Sequence, residues 1–245
     1  MKDGRIVVIT GAAGGMGSLI VERFLANGDK VIATDTSKEG LQKLADAHGG
    51  ADIAVQTADI TDDGDLEALK KLAEDRHGRV DILVNVAGYF PIQPFEEMSA
   101  ADWRKIIDIN LTGTALMIKA LLPLMKGRGW GRIINFGSAS IYGGVPGQSH
   151  YVAAKAGVVG LTRSLAREFG GYGITVNIVA PGLTVTPSVR EHFPAQMLEM
   201  QVQRRAIKRE ETGEDLVGAV AFLASPDANF VTGQSIVVDG GNIML

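Results

Sequence analysis

The sequence contains no cysteine, so disulfides, thiolate metal ligands and a thiol nucleophile are excluded. It also has no block of basic residues: 24 Lys and Arg stand against 28 Asp and Glu, a formal net charge of −4. Without that electrostatic footprint, neither a nucleic acid nor an anionic membrane surface is an expected partner. No apolar run approaches the roughly 20 residues a spanning helix needs, since even residues 115–125 are interrupted by Lys119 and Pro123. Met1, Lys2, Asp3, Gly4 and Arg5 lead straight into an apolar strand pattern without the features of a secretion signal, so the expected location is cytoplasmic. The histidines at 48, 77, 150 and 192 lack metal-ligand spacing, and no catalytic metal is expected. No linker, repeat or low-complexity stretch divides the chain. Its 245 residues, 46% of them hydrophobic, read as a single domain with one large core.

What is present is an alternation of short β-branched strands with amphipathic helices. Residues 5–10, 30–35, 52–57, 80–85, 131–137, 173–180 and 234–239 read as strands. Residues 15–27, 40–47, 66–77, 101–126, 151–169 and 214–224 read as the helices between them. Continuous apolar strands, such as residues 176–179, suit a parallel sheet covered on both faces. The expected architecture is α/β: a doubly wound Rossmann fold of about seven parallel strands with helices on both faces. Residues 183–212 break the rule of short connections and carry Phe193, Met197, Leu198 and Met200. They read as a substrate lid or as a helical insertion packed on the core.

Gly11, Gly14, Gly15, Met16 and Gly17 lie in the turn between the first strand and the first helix, where free amides and the helix start would attract a pyrophosphate. The next strand ends at Asp35, 18 residues after Gly17. That is close to the separation of about 20 at which a carboxylate holds an adenosine ribose. A carboxylate there repels a 2′-phosphate, and neither Ala13, Gly14 nor Thr36 supplies a cation to offset it. NAD is therefore favoured over NADP, although Lys38 is near enough to blur the choice. Alternatively Asp35 helps start the next helix, a task Ser37 can perform alone. Asp59, followed by Ile60 at the end of the third strand, either meets the adenine amino group or caps the following helix in competition with Thr61 and Asp62.

Tyr151 and Lys155 stand four residues apart, hence on one helix face. A cation about 5 Å from a phenol, at an effective dielectric near 20, is worth roughly 3 kcal/mol or about two pKa units. The phenol is expected to fall toward neutrality and to exchange a proton with an alcohol or ketone oxygen. Ser138, at the carboxyl edge of the preceding strand, can orient that oxygen or serve the turn, with Ser140 as its rival. Asn110 interrupts an apolar helix face, where it holds a water linking Lys155 to solvent or simply kinks or caps the helix. Tyr89, Phe90, Tyr142 and Gln148 suggest an apolar substrate pocket with few donors, though aromatics at strand ends are also core residues. His150 reads as a solvated or packed ring rather than a base.

Taken in order, these motifs resemble the classical short-chain dehydrogenase/reductase family over the whole chain. Residues 10–17 resemble its TGxxxGxG turn and Asn85, Val86, Ala87 and Gly88 its NNAG element. Asn110, Ser138, Tyr151 and Lys155 resemble its tetrad, with the usual 13-residue gap from Ser138 to Tyr151. Pro181 and Gly182 with Thr186 resemble its PGxxxT segment, which meets the nicotinamide carboxamide. The resemblance implies that Tyr151 is the general acid/base and that Lys155 binds the nicotinamide ribose and lowers the phenol. It implies that Ser138 orients the substrate, that Asn110 supports a proton relay, and that the assembly is a homotetramer. Asn85, Ala87, Gly88, Tyr151, Lys155, Pro181, Gly182, Thr184 and Thr186 join the glycine turn, Asp35, Asp59 and Ile60 as implied cofactor contacts. Two departures stand out: Val86 replaces the second asparagine, and Thr184 replaces a branched aliphatic.

Within the family, residues 91–95, 129–132 and 222–234 resemble secondary-alcohol dehydrogenases, of which (S)-1-phenylethanol dehydrogenase is one, and some carbohydrate and pyridoxal dehydrogenases. The implied reaction is reversible hydride transfer between NAD and a small secondary alcohol or its ketone, aryl-alkyl or cyclic. The alternatives are a 3-oxoacyl-(acyl-carrier-protein) reductase, a sugar or pyridoxal dehydrogenase, and, outside enzymes, a dinucleotide-sensing regulator.

Overall fold

Seven short apolar segments pair into one parallel sheet in a computed structural model that describes residues 4–244. Residues 1–3, part of the N-terminal stretch read above, and residue 245 lie outside the described residues. The strands are β1 (Ile6–Thr10), β2 (Lys30–Asp35), β3 (Ile53–Thr57), β4 (Ile82–Asn85), β5 (Gly131–Phe136), β6 (Ile174–Pro181) and β7 (Ser235–Val238). Their order is β3-β2-β1-β4-β5-β6-β7. Every residue of β1, β4, β5 and β6 is buried, which is why apolar residues in those strands do not alternate with exposed polar ones. Thr10 is level with both Thr34 and Asn85, and Asn85 with Asn135, so the carboxyl ends form one edge. The strand order reverses between β1 and β4, the place where doubly wound sheets open a ligand crevice.

The helices are α1 (Gly17–Ala26), α2 (Lys38–Ala47), α3 (Asp63–His77), α4 (Ala100–Ile107), α5 (Gly113–Met125), α6 (Ser140–Gly143), α7 (Ser149–Phe169), α8 (Pro187–His192), α9 (Ala195–Arg204) and α10 (Glu214–Leu223). They cover both faces of the sheet. Val7 and Ile9 join Phe24 and Val220 in one core, while Val8, between them in sequence, joins Met117 and Phe169 in the other. Residues 183–212 contain α8 and α9, anchored by the buried side chains of Val189 and Leu198.

Two expectations change in the long helix. It is divided into α4 and α5 by a π-helical turn at Asp108–Thr112, centred on buried Asn110. Yet the helical run Ala100–Met125 is unbroken, and with a mean hydropathy of 1.4 over its apolar window it is long and apolar enough to cross a membrane. That corrects the reading that no such run exists, because Lys119 and Pro123 do not stop the helix. Ile106, Met117, Ile118, Leu121 and Met125 commit it to the protein core instead.

Candidate active site

At the carboxyl edge of β1, β2, β3 and β4 lies a cleft of about 380 Å³. Its walls include Gly11, Asp35, Asp59, Ile60, Ala87 and Gly88 from the sequence-derived set. Thr34, Lys105 and Ile109 also line it, and sequence reasoning did not single them out. Gly11 holds φ at +63°, and a side chain there would meet the Ala87 amide nitrogen at 2.8 Å. Only glycine lets the turn after β1 pass so close to the chain leaving β4. Thr10 ties the same two segments, its Oγ1 accepting from the amides of Val86 and Ala87 at 3.1 Å. Gly14 closes the turn onto the Gly11 carbonyl, and α1 then begins after Met16 without a side-chain cap.

The half-buried Asp35 carboxylate accepts from the Ala13 amide at 3.1 Å and the Ser37 amide at 2.9 Å. It does not cap α2, because Ser37 does so by accepting from Gly40. Nor does Asp59 cap α3. Its carboxylate holds Thr61, while Asp62 performs the capping.

Further along the edge, β5 and α7 assemble the second half of the site. Asn85 donates to Asn135 at 2.9 Å, and Asn135 donates to Thr162 at 2.9 Å, linking β4, β5 and α7. Asn135 and Thr162 were not anticipated: for Asn135 the only sequence signal was a polar residue between apolar Ile134 and Phe136 in β5, and for Thr162, on α7, there was none. Asn110 uses its amide fully, accepting from the Tyr89 amide at 3.3 Å and donating to the carbonyls of Tyr89 and Ile106. Lys155 is 3% exposed and donates to the Phe136 carbonyl at 2.8 Å. A side chain at Gly88 would lie 2.8 Å from Asn110 Oδ1 and 3.5 Å from Lys155 Nζ, so the bare backbone of Gly88 sits between them.

The Ser138 hydroxyl lies 2.8 Å from Ser140 Oγ and is the polar group next to the Tyr151 phenol that lowers its pKa. Lys155 Nζ stands 5.7 Å from the Tyr151 ring centre. This is the juxtaposition that the helical spacing requires, but its electrostatics differ from expectation. Burial pushes the phenol up to about 12, with only the neighbouring Ser138 hydroxyl pulling down, and burial lowers the ammonium to about 8. Desolvation is the largest cause of both shifts, and neither group perturbs the other's titration.

Phe90 and Tyr89 diverge although adjacent. The Phe90 ring lies 6.0 Å from that of Tyr151 and 6.3 Å from that of Phe193, joining the site to the segment that carries α8 and α9. Tyr89 instead lines the cleft below β1–β4, with Lys105 Nζ 5.6 Å over its ring. Gln148 is buried and directs its amide toward the Phe90 carbonyl at 3.5 Å. Tyr142, on α6, is exposed. His150 is a packed ring whose Nδ1 accepts from the Tyr151 amide at 2.9 Å.

Beyond β6, the Pro181 carbonyl accepts from the Ala139 amide and Gly182 donates to Val238. Thr186 caps α8 and packs against Gly15 of the glycine turn. The Thr184 hydroxyl is committed to Glu211 at 2.7 Å, so it is not a free donor toward the cleft.

A family model described as enoyl-(acyl carrier protein) reductase matches residues 11–242. The chain is 39% identical over 249 residues to the 3-oxoacyl-(acyl-carrier-protein) reductase of Vibrio cholerae, covering 99% of each. It is 40% identical over 250 residues to the 2,3-dihydroxy-2,3-dihydro-p-cumate dehydrogenase of Pseudomonas putida, covering 99% of this chain and 96% of that one. A crystal structure from Brucella melitensis, a short-chain dehydrogenase/reductase of the glucose/ribitol dehydrogenase type, superposes with a TM-score of 0.93 at 37% identity, covering 98% and 97% of the two chains. The chain belongs to the classical short-chain dehydrogenase/reductase family.

Short-chain dehydrogenases/reductases bind a nicotinamide dinucleotide, and the residues present fit one. The cleft, the uncapped start of α1, the half-buried carboxylate of Asp35 and the buried Thr34 hydroxyl, which has no partner among the described residues, are chemically suited to its adenosine and pyrophosphate parts. The chain is accordingly an oxidoreductase acting between hydroxyl and carbonyl groups.

Proposed function

We propose that the protein is an NAD-dependent dehydrogenase that interconverts an uncharged secondary alcohol and its ketone, aryl-alkyl or cyclic, with residues 183–212 as its lid. The observation that carries this reading is the Tyr151 phenol beside Ser138, packed against the Phe90 ring that Phe193 covers in turn, with Lys155 one helical turn behind. A bound nicotinamide supplies the hydride or accepts it. Tyr151 gives its proton to the ketone oxygen on reduction and takes it from the alcohol on oxidation. Ser138 holds that oxygen, and Lys155 with Asn110 and Gly88 fixes the far side of the phenol. The Phe90 and Phe193 rings exclude water and favour an apolar substituent. For the nucleotide, Asp35 accepts from ribose hydroxyls, whereas a 2′-phosphate would meet its charge directly. Lys38, the nearest cation in sequence, is exposed on α2. The reading includes a homotetramer in the cytoplasm, supported by family membership and by partly covered apolar side chains such as Leu116 and Val159 on α5 and α7.

A 3-oxoacyl thioester is the second reading, favoured by the similarity to the Vibrio cholerae reductase. A spectrophotometric panel decides between them: 1-phenylethanol and cyclic alcohols with NAD, their ketones with NADH, and a 3-oxoacyl thioester with either reduced nucleotide. Turnover of the apolar pair with NAD supports the proposal. Faster thioester reduction with NADPH, or NADH binding without any turnover, refutes it.

A further inference from the structure

Both stems of the 183–212 segment meet at one buried, charged cluster behind Pro181 and Gly182. Glu211 is 4% exposed; its Oε1 accepts from the Thr184 hydroxyl at 2.7 Å and its Oε2 faces Arg205 Nη2 at 3.4 Å. Arg205 is 3% exposed and also donates to the carbonyls of Leu183 at 2.9 Å and Arg209 at 3.2 Å. The backbones pair at the same point, with the Val185 amide donating to the Glu211 carbonyl at 2.7 Å. The fit is close: a side chain at Gly182 would lie 2.6 Å from Glu211 Oε2. Nothing in this cluster reaches Tyr151, yet the chain between its two stems carries Thr186, against the glycine turn, and Phe193, against Phe90.

We infer that Glu211 and Arg205 are positioning residues that clamp the two stems of this segment, holding Thr186 and Phe193 over the site. The inference rests on the reading of residues 183–212 as a lid. Clamping at the stems matters because a long loop gains order most cheaply where its ends are joined.

Replacing the buried carboxylate by water access changes its proton affinity, which gives the clamp a pH dependence. Arg205 faces Glu211 from the end of α9, Asp239 faces it from the turn after β7, and the Gly182 amide from the end of β6. Asp239 is occupied by the amides of Gly241, Asn242 and Ile243, and Arg209 by Asp215 at the start of α10. Burial prevails over the single facing cation and raises the Glu211 carboxyl to about 7 from an ordinary 4.5. With the segment open and the carboxyl in water, the ordinary value applies. The clamped form therefore binds the proton more tightly. Clamping is fully favoured below the ordinary carboxyl range and weakens as pH rises through about 7.

Hydrogen exchange of peptides covering residues 183–212, in the full chain without nucleotide and corrected for intrinsic exchange, tests this. Protection in the wild type is expected to fall by roughly 10-fold to 100-fold as pH rises from about 5 to about 8.5. Glu211→Gln, isosteric with the neutral acid, should keep protection and make it independent of pH, and Glu211→Ala should lose protection at every pH. In parallel, Glu211→Ala should weaken NADH binding, followed by fluorescence, and raise KM by roughly fivefold or more with kcat within about twofold. An unchanged pH slope in Glu211→Gln, or full protection in Glu211→Ala, overturns the clamp. The expected exchange with no turnover of any substrate refutes the enzymatic reading and leaves the clamp standing; turnover with pH-independent exchange in the wild type overturns the clamp alone.

Discussion

Lys155 donates to the carbonyl oxygen of Phe136 at 2.8 Å from a position on α7 that is almost wholly buried. One carbonyl dipole does not replace the hydration an ammonium loses, and burial lowers this group from 10.5 to about 8. For a base with a depressed folded value, the associated stability is present above the unfolded value and is lost as pH falls through the folded one. Near neutral pH the folded protein thus carries a destabilising buried charge. Lys155→Met should raise stability by roughly 1–3 kcal/mol, or about 2–8 °C in Tm, while abolishing turnover. Thermal melts near pH 7 and pH 10 check the sign: the gain over wild type should shrink at about the higher pH, and a lower Tm at neutrality counts against it.

Tyr151 is held protonated by burial, so it is poised to give a proton rather than to take one. Ketone reduction should show a plateau in kcat through neutral pH and fall above about 8, as Lys155 discharges, whereas alcohol oxidation should rise with pH. Tyr151→Phe removes the proton and keeps the ring against Phe90. A loss of about 100-fold to 10,000-fold in kcat is expected, with the NADH dissociation constant changed less than about threefold. Retention of most of the activity would remove Tyr151 from the chemistry.

The strands were legible because burial on both faces leaves few options: β2 runs over Lys30–Asp35 as the apolar pattern requires. The division of the long helix was half legible. Asn110 marked the interruption, but its π turn depends on Tyr89, 21 residues away in sequence. Spacing along α7 brought Tyr151 and Lys155 together, yet could not report the desolvation that reverses the expected shift of the phenol. Tyr89 and Phe90 part company because consecutive side chains on this non-helical stretch leave the backbone on opposite sides, and only the fold decides which of the two faces the cleft. The Glu211 cluster was invisible for the same reason: its partner Thr184 lies 27 residues earlier, and only the fold joins them.

Asp35 is restrained by the amides of Ala13 and Ser37, so its carboxylate is held in the cleft, and on the proposed NAD reading it cannot swing away from a 2′-phosphate. Asp35→Asn keeps a side-chain acceptor and removes the repulsion. The ratio of kcat/KM with NAD to that with NADP should fall roughly 10-fold to 100-fold, corresponding to about 1.4–2.8 kcal/mol. Parallel steady-state assays with both nucleotides measure it; an unchanged ratio would mean that the carboxylate does not read the ribose.

Phe193 contributes one of the two rings packed on Phe90, at 6.3 Å and a tilt of 37°, and it does so from the connection between α8 and α9 rather than from the sheet. Its side chain is half-buried, so its removal leaves no sealed core cavity and should lower stability by less than about 1 kcal/mol. Its effect on a bound apolar substrate is larger in proportion, since an aromatic pair is worth about 0.5–1.5 kcal/mol beyond the area it covers. Phe193→Ala should therefore raise KM for an aryl or cyclic ketone by roughly 3-fold to 10-fold and leave NADH affinity unchanged, because the ring does not line the cleft that holds Asp35 and Gly11. Phe193→Leu should restore part of the loss, as bulk without the ring still excludes water. Phe90→Ala should cost more than either, because Phe90 also packs on Tyr151 and its loss loosens the proton donor as well as the pocket. Equal KM values for wild type and Phe193→Ala would place the substrate elsewhere and leave residues 183–212 without a role in binding it.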